Sequence, residues 1–162
     1  MNVRFPLVIP FAAALSVCLA QAFEIKGITP GMDKAEFVQK FGEPPLQGFT
    51  IAEVPSKYKR FDVFFGEDGK LSSLNFFFDS DDFEHMMDAV REKYPKLRCQ
   101  NSSVTNLYGA RLTQTECSLD DQTGKLTLSR FVNDVNTSSL SLYSSKMLKE
   151  MGSRQVKRNK DL

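Results

Sequence analysis

The stretch KRFDVFFGEDGKLSSLNFFFD, residues 59 to 79, constrains the fold more than any other part of this sequence. Large apolar residues alternate with other residues on both sides of a turn-forming GEDG segment, and this pattern predicts a β-hairpin with one buried face. The side chains expected on the buried face are Phe61, Val63, Phe65, Leu74, Phe76 and Phe78. An isolated hairpin is at best marginally stable, so these groups require a covering layer from the rest of the chain.

The opposite face of the predicted hairpin carries a candidate binding surface made of Arg60, Phe64 and Phe77. The two phenylalanines interrupt an otherwise polar pattern, and aromatic residues and arginine are enriched among binding hot spots. In the alternative interpretation, a helix or the C-terminal tail covers this face and both rings belong to the core. Sequence alone leaves both interpretations open.

Two amphipathic helices are predicted to cover the buried face of the sheet. The first begins after Asp33, which forms a candidate capping box with Glu36, and it ends at Gly42 before Pro44-Pro45. The second lies within residues 79–95, ends before a proline, and places its apolar residues on one stripe, namely Phe83, Met86, Met87, Val90 and Tyr94.

Four further strands are predicted over residues 97–104, 108–118, 125–132 and 138–143, and a short helix capped by Ser144-Ser145 is expected to end at Gly152. The elements together predict an α+β domain. Its antiparallel sheet has about six strands in a meander, with two to three short helices packed on one face. We expect one domain over residues 23–152 and a basic, flexible tail over residues 153–162.

The first 22 residues, MNVRFPLVIPFAAALSVCLAQA, have the pattern of a secretory signal peptide. Arg4 precedes an uncharged apolar run that ends in a small-x-small site, so we predict cleavage after Ala22 and a periplasmic or secreted protein. A retained membrane anchor fits less well, because the uninterrupted run is short for about 30 Å of hydrocarbon. Lipid attachment at Cys18 is the other alternative, although the branched residue before it is unlike a lipoprotein signal.

Cleavage at this site leaves two cysteines, Cys99 and Cys117. An even pair in an exported chain predicts a disulfide bond. A metal or redox pair fits less well, because the spacing is not C-x-x-C and the chain has one histidine. We therefore expect a structural bridge, no metal site and no cofactor.

The charge balance argues against nucleic acid as a partner. The chain has 21 basic and 20 acidic residues, and Arg4 belongs to the predicted signal peptide, so the remaining chain is close to neutral. Basic residues concentrate after Lys146, which is typical of a solvated terminus. Attraction of this tail to an anionic membrane surface is the alternative.

The N-terminal part of the predicted domain resembles a known group of proteins. Residues 27–32, GITPGM, precede a short helix, the sequence Phe41-Gly42-Glu43-Pro44, and then a hairpin with F-x-V-x-F, D-G-K-L and L-x-F-x-F segments. This arrangement, over residues 27–78, resembles bacterial envelope proteins of the SmpA/OmlA type and is similar to β-lactamase-inhibitory proteins. The resemblance implies a helix-then-sheet fold and an envelope location, and it assigns no functional residue.

Three functions remain as hypotheses. The first is an exported periplasmic binding or inhibitory module that contacts an envelope or periplasmic protein, and the second is an accessory protein of outer-membrane assembly. The third is a secreted hydrolase that uses carboxylates alone. We expect that the protein is not an enzyme, because the sequence has no serine nucleophile elbow and both cysteines are expected to be bridged.

Overall fold

The computed structural model describes residues 23–43, 58–105, 108–132 and 134–160. The predicted signal peptide, Cys18 and Pro44-Pro45 lie outside these residues. The elements in chain order are α1 (Lys34–Phe41), β1 (Tyr58–Phe65), β2 (Leu71–Asp79), a 3-10 turn (Ser80–Asp82), α2 (Phe83–Lys93), β3 (Arg98–Thr105), β4 (Arg111–Asp120), β5 (Gly124–Ser129), β6 (Thr137–Ser144) and α3 (Ser145–Lys160).

The strands form one six-stranded antiparallel sheet with the order β1-β2-β6-β5-β4-β3. The predicted α+β class is therefore confirmed. Strands β3 to β6 follow one another as a meander, whereas β6 returns to pair with β2, so that Phe76 lies opposite Leu140. The last strand thus joins the N-terminal hairpin to the rest of the sheet.

The buried face of the sheet is the one that the alternating pattern predicts. Phe61, Leu74, Phe76 and Phe78 are each at most 2% exposed, and Val63 and Phe65 pack against them. The same face continues across the sheet through Leu140, Leu142, Leu126, Leu128 and Cys117. Phe37 of α1, and Phe83 and Val90 of α2, complete this core.

Helix α1 begins where the sequence predicts, but the capping box does not form. Asp33 occupies the N-cap position without a side-chain cap hydrogen bond. Its carboxylate instead accepts a 2.8 Å contact from Lys70, and Glu36 pairs with Lys40 at 2.8 Å. Lys70, which the tertiary fold brings close, therefore replaces the backbone N–H group of the first helical turn as the partner of the Asp33 carboxylate. The other end agrees with prediction, since Gly42 takes a positive φ of 90° that favours glycine.

Helix α2 also fastens the beginning of the described chain. Phe23 is buried and meets the ring of Tyr94 edge to face, with ring centroids 5.8 Å apart. The Tyr94 hydroxyl donates to the carbonyl of Glu24 at 3.0 Å, and Lys93 donates to the same carbonyl at 3.1 Å. The segment before α1 therefore belongs to the folded core and closes over the C-terminal end of α2.

The predicted end of the last helix at Gly152 is wrong, because α3 continues to Lys160. The cap at its start is confirmed, since the Ser144 hydroxyl accepts a hydrogen bond from the backbone N–H of Met147 at 3.2 Å. Glycine ends a helix when it adopts positive φ, and Gly152 does not do so. A glycine inside a helix costs only about 1 kcal/mol relative to alanine. Residues 153–160 of the predicted tail are therefore helical.

The predicted disulfide is confirmed. Cys99 of β3 and Cys117 of β4 lie directly opposite each other and are joined. Cys117 is fully buried at the end of the apolar layer, while Cys99 is half-buried beside it. The bridge therefore attaches the edge strand β3 to the core.

One ion pair connects the start of α3 to the turn between β1 and β2. The Lys146 ammonium donates to Asp68 at 2.7 Å, and this hydrogen bond lowers the pKa of Asp68 and raises the pKa of Lys146. The lowered pKa of Asp68 contributes stability above its ordinary value of 3.8, and this stability is lost as pH falls through the pKa of the folded state. The raised pKa of Lys146 contributes stability below its ordinary value of 10.5, and this stability is lost as pH rises through the pKa of the folded state.

We expect this connection to open below about pH 3.8 and to stay closed at neutral pH. Protection factors for amide hydrogen exchange, which correct for the slower intrinsic exchange in acid, should then fall in the first turn of α3 before they fall in the sheet. The Lys146→Met variant should exchange quickly at neutral pH and lose this pH dependence. Protection of the first turn of α3 that stays unchanged down to the pH at which the sheet itself unfolds would contradict the expectation.

Candidate functional site

The three residues of the candidate binding surface lie on the face of the sheet opposite the core, as the alternation predicts. Arg60 and Phe77 are directly opposite each other across β1 and β2. The guanidinium carbon of Arg60 lies 4.2 Å from the centre of the Phe77 ring, and its Nη2 atom pairs with Asp62 at 2.9 Å. The ring and the carboxylate together fix the position of the guanidinium group.

Phe64 lies at the other end of the same face and does not contact Phe77. It pairs with Ser73, four residues along β2 from Phe77, which corresponds to roughly 13 Å along the strand. The Phe64 side chain is 55% exposed, and Phe77 is half-buried beneath Arg60. The interpretation that both rings are ordinary core residues is therefore wrong for Phe64.

Small polar side chains of β2 and β6 lie on the same face between these residues. Ser73, Ser139 and Ser141 are each at most 6% exposed on this face. The Tyr143 hydroxyl donates to the Asn75 side-chain oxygen at 3.3 Å and forms the rim beside Ser73. Serine alternates with leucine through SSLSLYS, residues 138–144, and this alternation is the signal that could have placed β6 within the candidate surface.

We call this area the serine face and define it by Arg60, Phe64, Phe77, Tyr143 and the three serines. It combines two aromatic groups, an ordered guanidinium and a hydroxyl with small side chains that are themselves buried. These are features of a surface that receives a protruding side chain of another protein. We identify no arrangement of nucleophile and base on it.

A concave region with a volume of about 510 Å³ lies near the other edge of the sheet. Its lining includes the charged residues Lys96, Arg98, Glu116, Asp120 and Lys125. Glu116 and Asp120 are four residues apart on β4, roughly 13 Å along the strand. Paired carboxyl groups of glycosidases are about 5 to 10 Å apart, so this spacing does not favour a glycosidase.

Metal ligands do not cluster in the described ranges, where we find no group of three or more His, Cys, Asp or Glu side chains suited to an ion. His85 is exposed on α2. Within the same ranges, no helix is both long and apolar enough to cross a membrane.

No protein-family model matches this chain, and no curated protein sequence matches it. The resemblance to SmpA/OmlA and β-lactamase-inhibitory proteins therefore stays a prediction that depends on residues 27–78.

Proposed function

We propose that this chain is an exported binding or inhibitory module that contacts another protein through the serine face. The observation that carries the proposal is the exposure of Phe64, a large apolar ring in a regular strand, at 55%. A single exposed apolar residue is common on protein surfaces. Phe64 differs because the same face offers an arginine held on an aromatic ring, the composition that hot spots favour.

The geometry of Arg60 supports binding because its guanidinium is already ordered. Contact with the Phe77 ring and the Asp62 carboxylate restricts a long side chain that would otherwise lose conformational freedom on association. Asp62 also balances its charge, so this part of the surface has little net charge. We therefore expect a partner that presents an apolar or aromatic side chain to Phe64 and a hydrogen-bond acceptor to Arg60.

The location of this activity is part of the proposal. The disulfide between Cys99 and Cys117 is compatible with an oxidising compartment, and the N-terminal pattern and the resemblance both favour the bacterial periplasm. The expected partner is therefore an envelope or periplasmic protein.

An accessory role in outer-membrane assembly is the second candidate. It is favoured by the helical continuation of the basic segment to Lys160, since a basic helix is suited to an anionic surface. In that case the membrane fraction, and no single periplasmic protein, would retain the chain. Carboxylate-dependent hydrolysis has no comparable support.

The proposal predicts selective crosslinking at position 64. A photoreactive phenylalanine analogue in place of Phe64 should capture one protein in the envelope of the producing cell, and mass spectrometry should identify it. The matched control places the same analogue at Tyr108, which is 96% exposed at the far side of the sheet. We expect the control to give no adduct with the same protein.

The captured protein should then be purified and its affinity measured directly. Phe64→Ala and Arg60→Ala should each weaken binding by more than about tenfold, the range of hot-spot residues. Phe64→Ala should leave the melting temperature nearly unchanged, because the ring is largely outside the core. Equal capture from positions 64 and 108, or unaltered affinity in both alanine variants, would refute the proposal.

A further inference from the structure

The outer edge of β3 is open in the part of the chain that the structure describes. This strand pairs with β4 alone, and six of its eight residues are exposed. Its hairpin also projects from the sheet, because the β4 pairing with β5 begins only at Glu116, whereas the pairing with β3 extends back to Arg111. An exposed strand edge offers unpaired N–H and C=O groups to another strand.

The two edges of the sheet are protected to different degrees. Edge strand β1 carries Lys59, Arg60 and Asp62, and its pairing is irregular at two points. Such charges and bulges discourage the addition of another strand. In contrast, β3 pairs regularly over eight positions, its sequence RCQNSSVT has no proline, and Arg98 is its one charged residue. Strand addition is therefore favoured at β3.

Two observations show which backbone groups of β3 point outward. The Cα atoms of Cys99 and Cys117 are 3.9 Å apart, and the close pairs of an antiparallel ladder are those without mutual hydrogen bonds. The carbonyl of Thr115, opposite Asn101, accepts from Arg130 on the β5 side, so it points away from β3. The outward N–H and C=O groups of β3 therefore belong to alternate residues, namely Cys99, Asn101, Ser103 and Thr105.

We propose that β3 pairs with β3 of a second copy of this chain, antiparallel and with a twofold axis at Ser102. This register places Asn101 opposite Ser103, and Cys99 opposite Thr105, of the other copy. It uses every outward group in about eight hydrogen bonds, and a shift in either direction uses fewer. The two sheets then form one continuous sheet across a symmetric interface, in which each copy contributes the same surface.

The side chains of β3 are compatible with this self-pairing. Small polar groups face each other, with Ser102 opposite its own copy and Gln100 opposite Val104. The two Arg98 groups lie roughly 27 Å apart, since eight residues separate the ends of the paired segment. That distance exceeds the Debye length of about 8 Å at physiological salt, so their repulsion is screened. The formal charge of the whole chain, +1, adds little repulsion between copies.

Cysteine crosslinking tests the register directly. In Ser102→Cys the two introduced thiols face each other across a close pair, within the Cα distances that a disulfide spans. The matched control is Gln100→Cys, on the same strand, the same face and similarly exposed, whose two copies lie roughly 14 Å apart along the strand. In a glutathione buffer we expect about tenfold more covalent dimer from Ser102→Cys, with peptide mapping locating the bridge at position 102.

Sedimentation of the parent protein gives an independent measurement. The interface is small, so we expect a dimer that dissociates on dilution, detectable between about 10 µM and 1 mM. Ser103→Pro removes an outward N–H group and should make the protein monomeric throughout this range while its melting temperature stays close to that of the parent. Equal crosslinking at positions 100 and 102, or a parent protein that is monomeric at 1 mM, would overturn the proposal.

Discussion

Phe61→Ala is expected to lower the free energy of unfolding by about 3 to 5 kcal/mol, the largest effect of any single change considered for this protein. The Phe61 side chain is fully buried, and its ring lies 4.6 Å, centre to centre, from Phe76 on the neighbouring strand. Truncation removes this contact and leaves a cavity beneath the hairpin that fixed neighbours cannot fill. Chemical denaturation with intrinsic tyrosine fluorescence and circular dichroism as signals measures the loss.

Phe64→Ala is the matched control, because it makes the same substitution three residues further along the same strand. Its ring is 55% exposed on the opposite face, so we expect little change in stability. If the two variants lose similar amounts, then the assignment of the two faces of β1 is wrong. The pair thus tests the orientation of the strand on which the serine face depends.

Removal of the disulfide is expected to have the second largest effect. The bridge joins residues 18 positions apart, and the chain-entropy model gives about 3 kcal/mol for a loop of this size. Cys99→Ser with Cys117→Ala is the appropriate variant, since Cys117 is fully buried and a serine hydroxyl there would lack a partner. Equilibrium unfolding in denaturant, without reducing agent, measures the difference from the parent.

A control separates the effect of losing the disulfide on stability from the effect of changing the two side chains. The parent protein with its disulfide reduced should lose a similar amount of stability, and the double variant should be insensitive to reductant. A variant as stable as the oxidised parent would show that the bridge does not contribute. A variant that loses the serine-face interaction as well would show that β3 and β1 are coupled across the sheet.

The local parts of this fold are predictable because their signals are local. Alternation with a period of two fixes the buried face of the β1–β2 hairpin, and the apolar stripe of α2 fixes its packing. The pairing of β2 with β6 could not be predicted in this way, because it depends on residues far apart in the sequence and no local pattern indicates it. The capping box of α1 fails for the same reason, because Lys70 reaches Asp33 only through the tertiary fold.

The candidate site was predictable in part. Arg60, Phe64 and Phe77 could be assigned to one face, but the 55% exposure of Phe64 depends on what packs over that face. The serines of β6 joined the site only when β6 was placed beside β2. Gly152 shows a different difficulty. Glycine often ends a helix but is also tolerated within one, so the sequence alone did not reveal that α3 continues past this residue.

The position of β6 also determines the order in which this protein can acquire its structure. Until the last strand is made, β1 and β2 form one piece and β3, β4 and β5 another, each with an apolar face and an open inner edge. Contacts between such distant parts of a chain form slowly, typically in milliseconds to seconds. Until they form, the two incomplete parts of the sheet expose apolar surface and are prone to aggregate. A nascent chain that lacks residues 137–144 contains most of the core residues, yet it has no strand to join them. A truncated chain that ends before residue 137 should therefore stay bound to chaperones, and a chain that includes the eight-residue strand β6 should fold and be released.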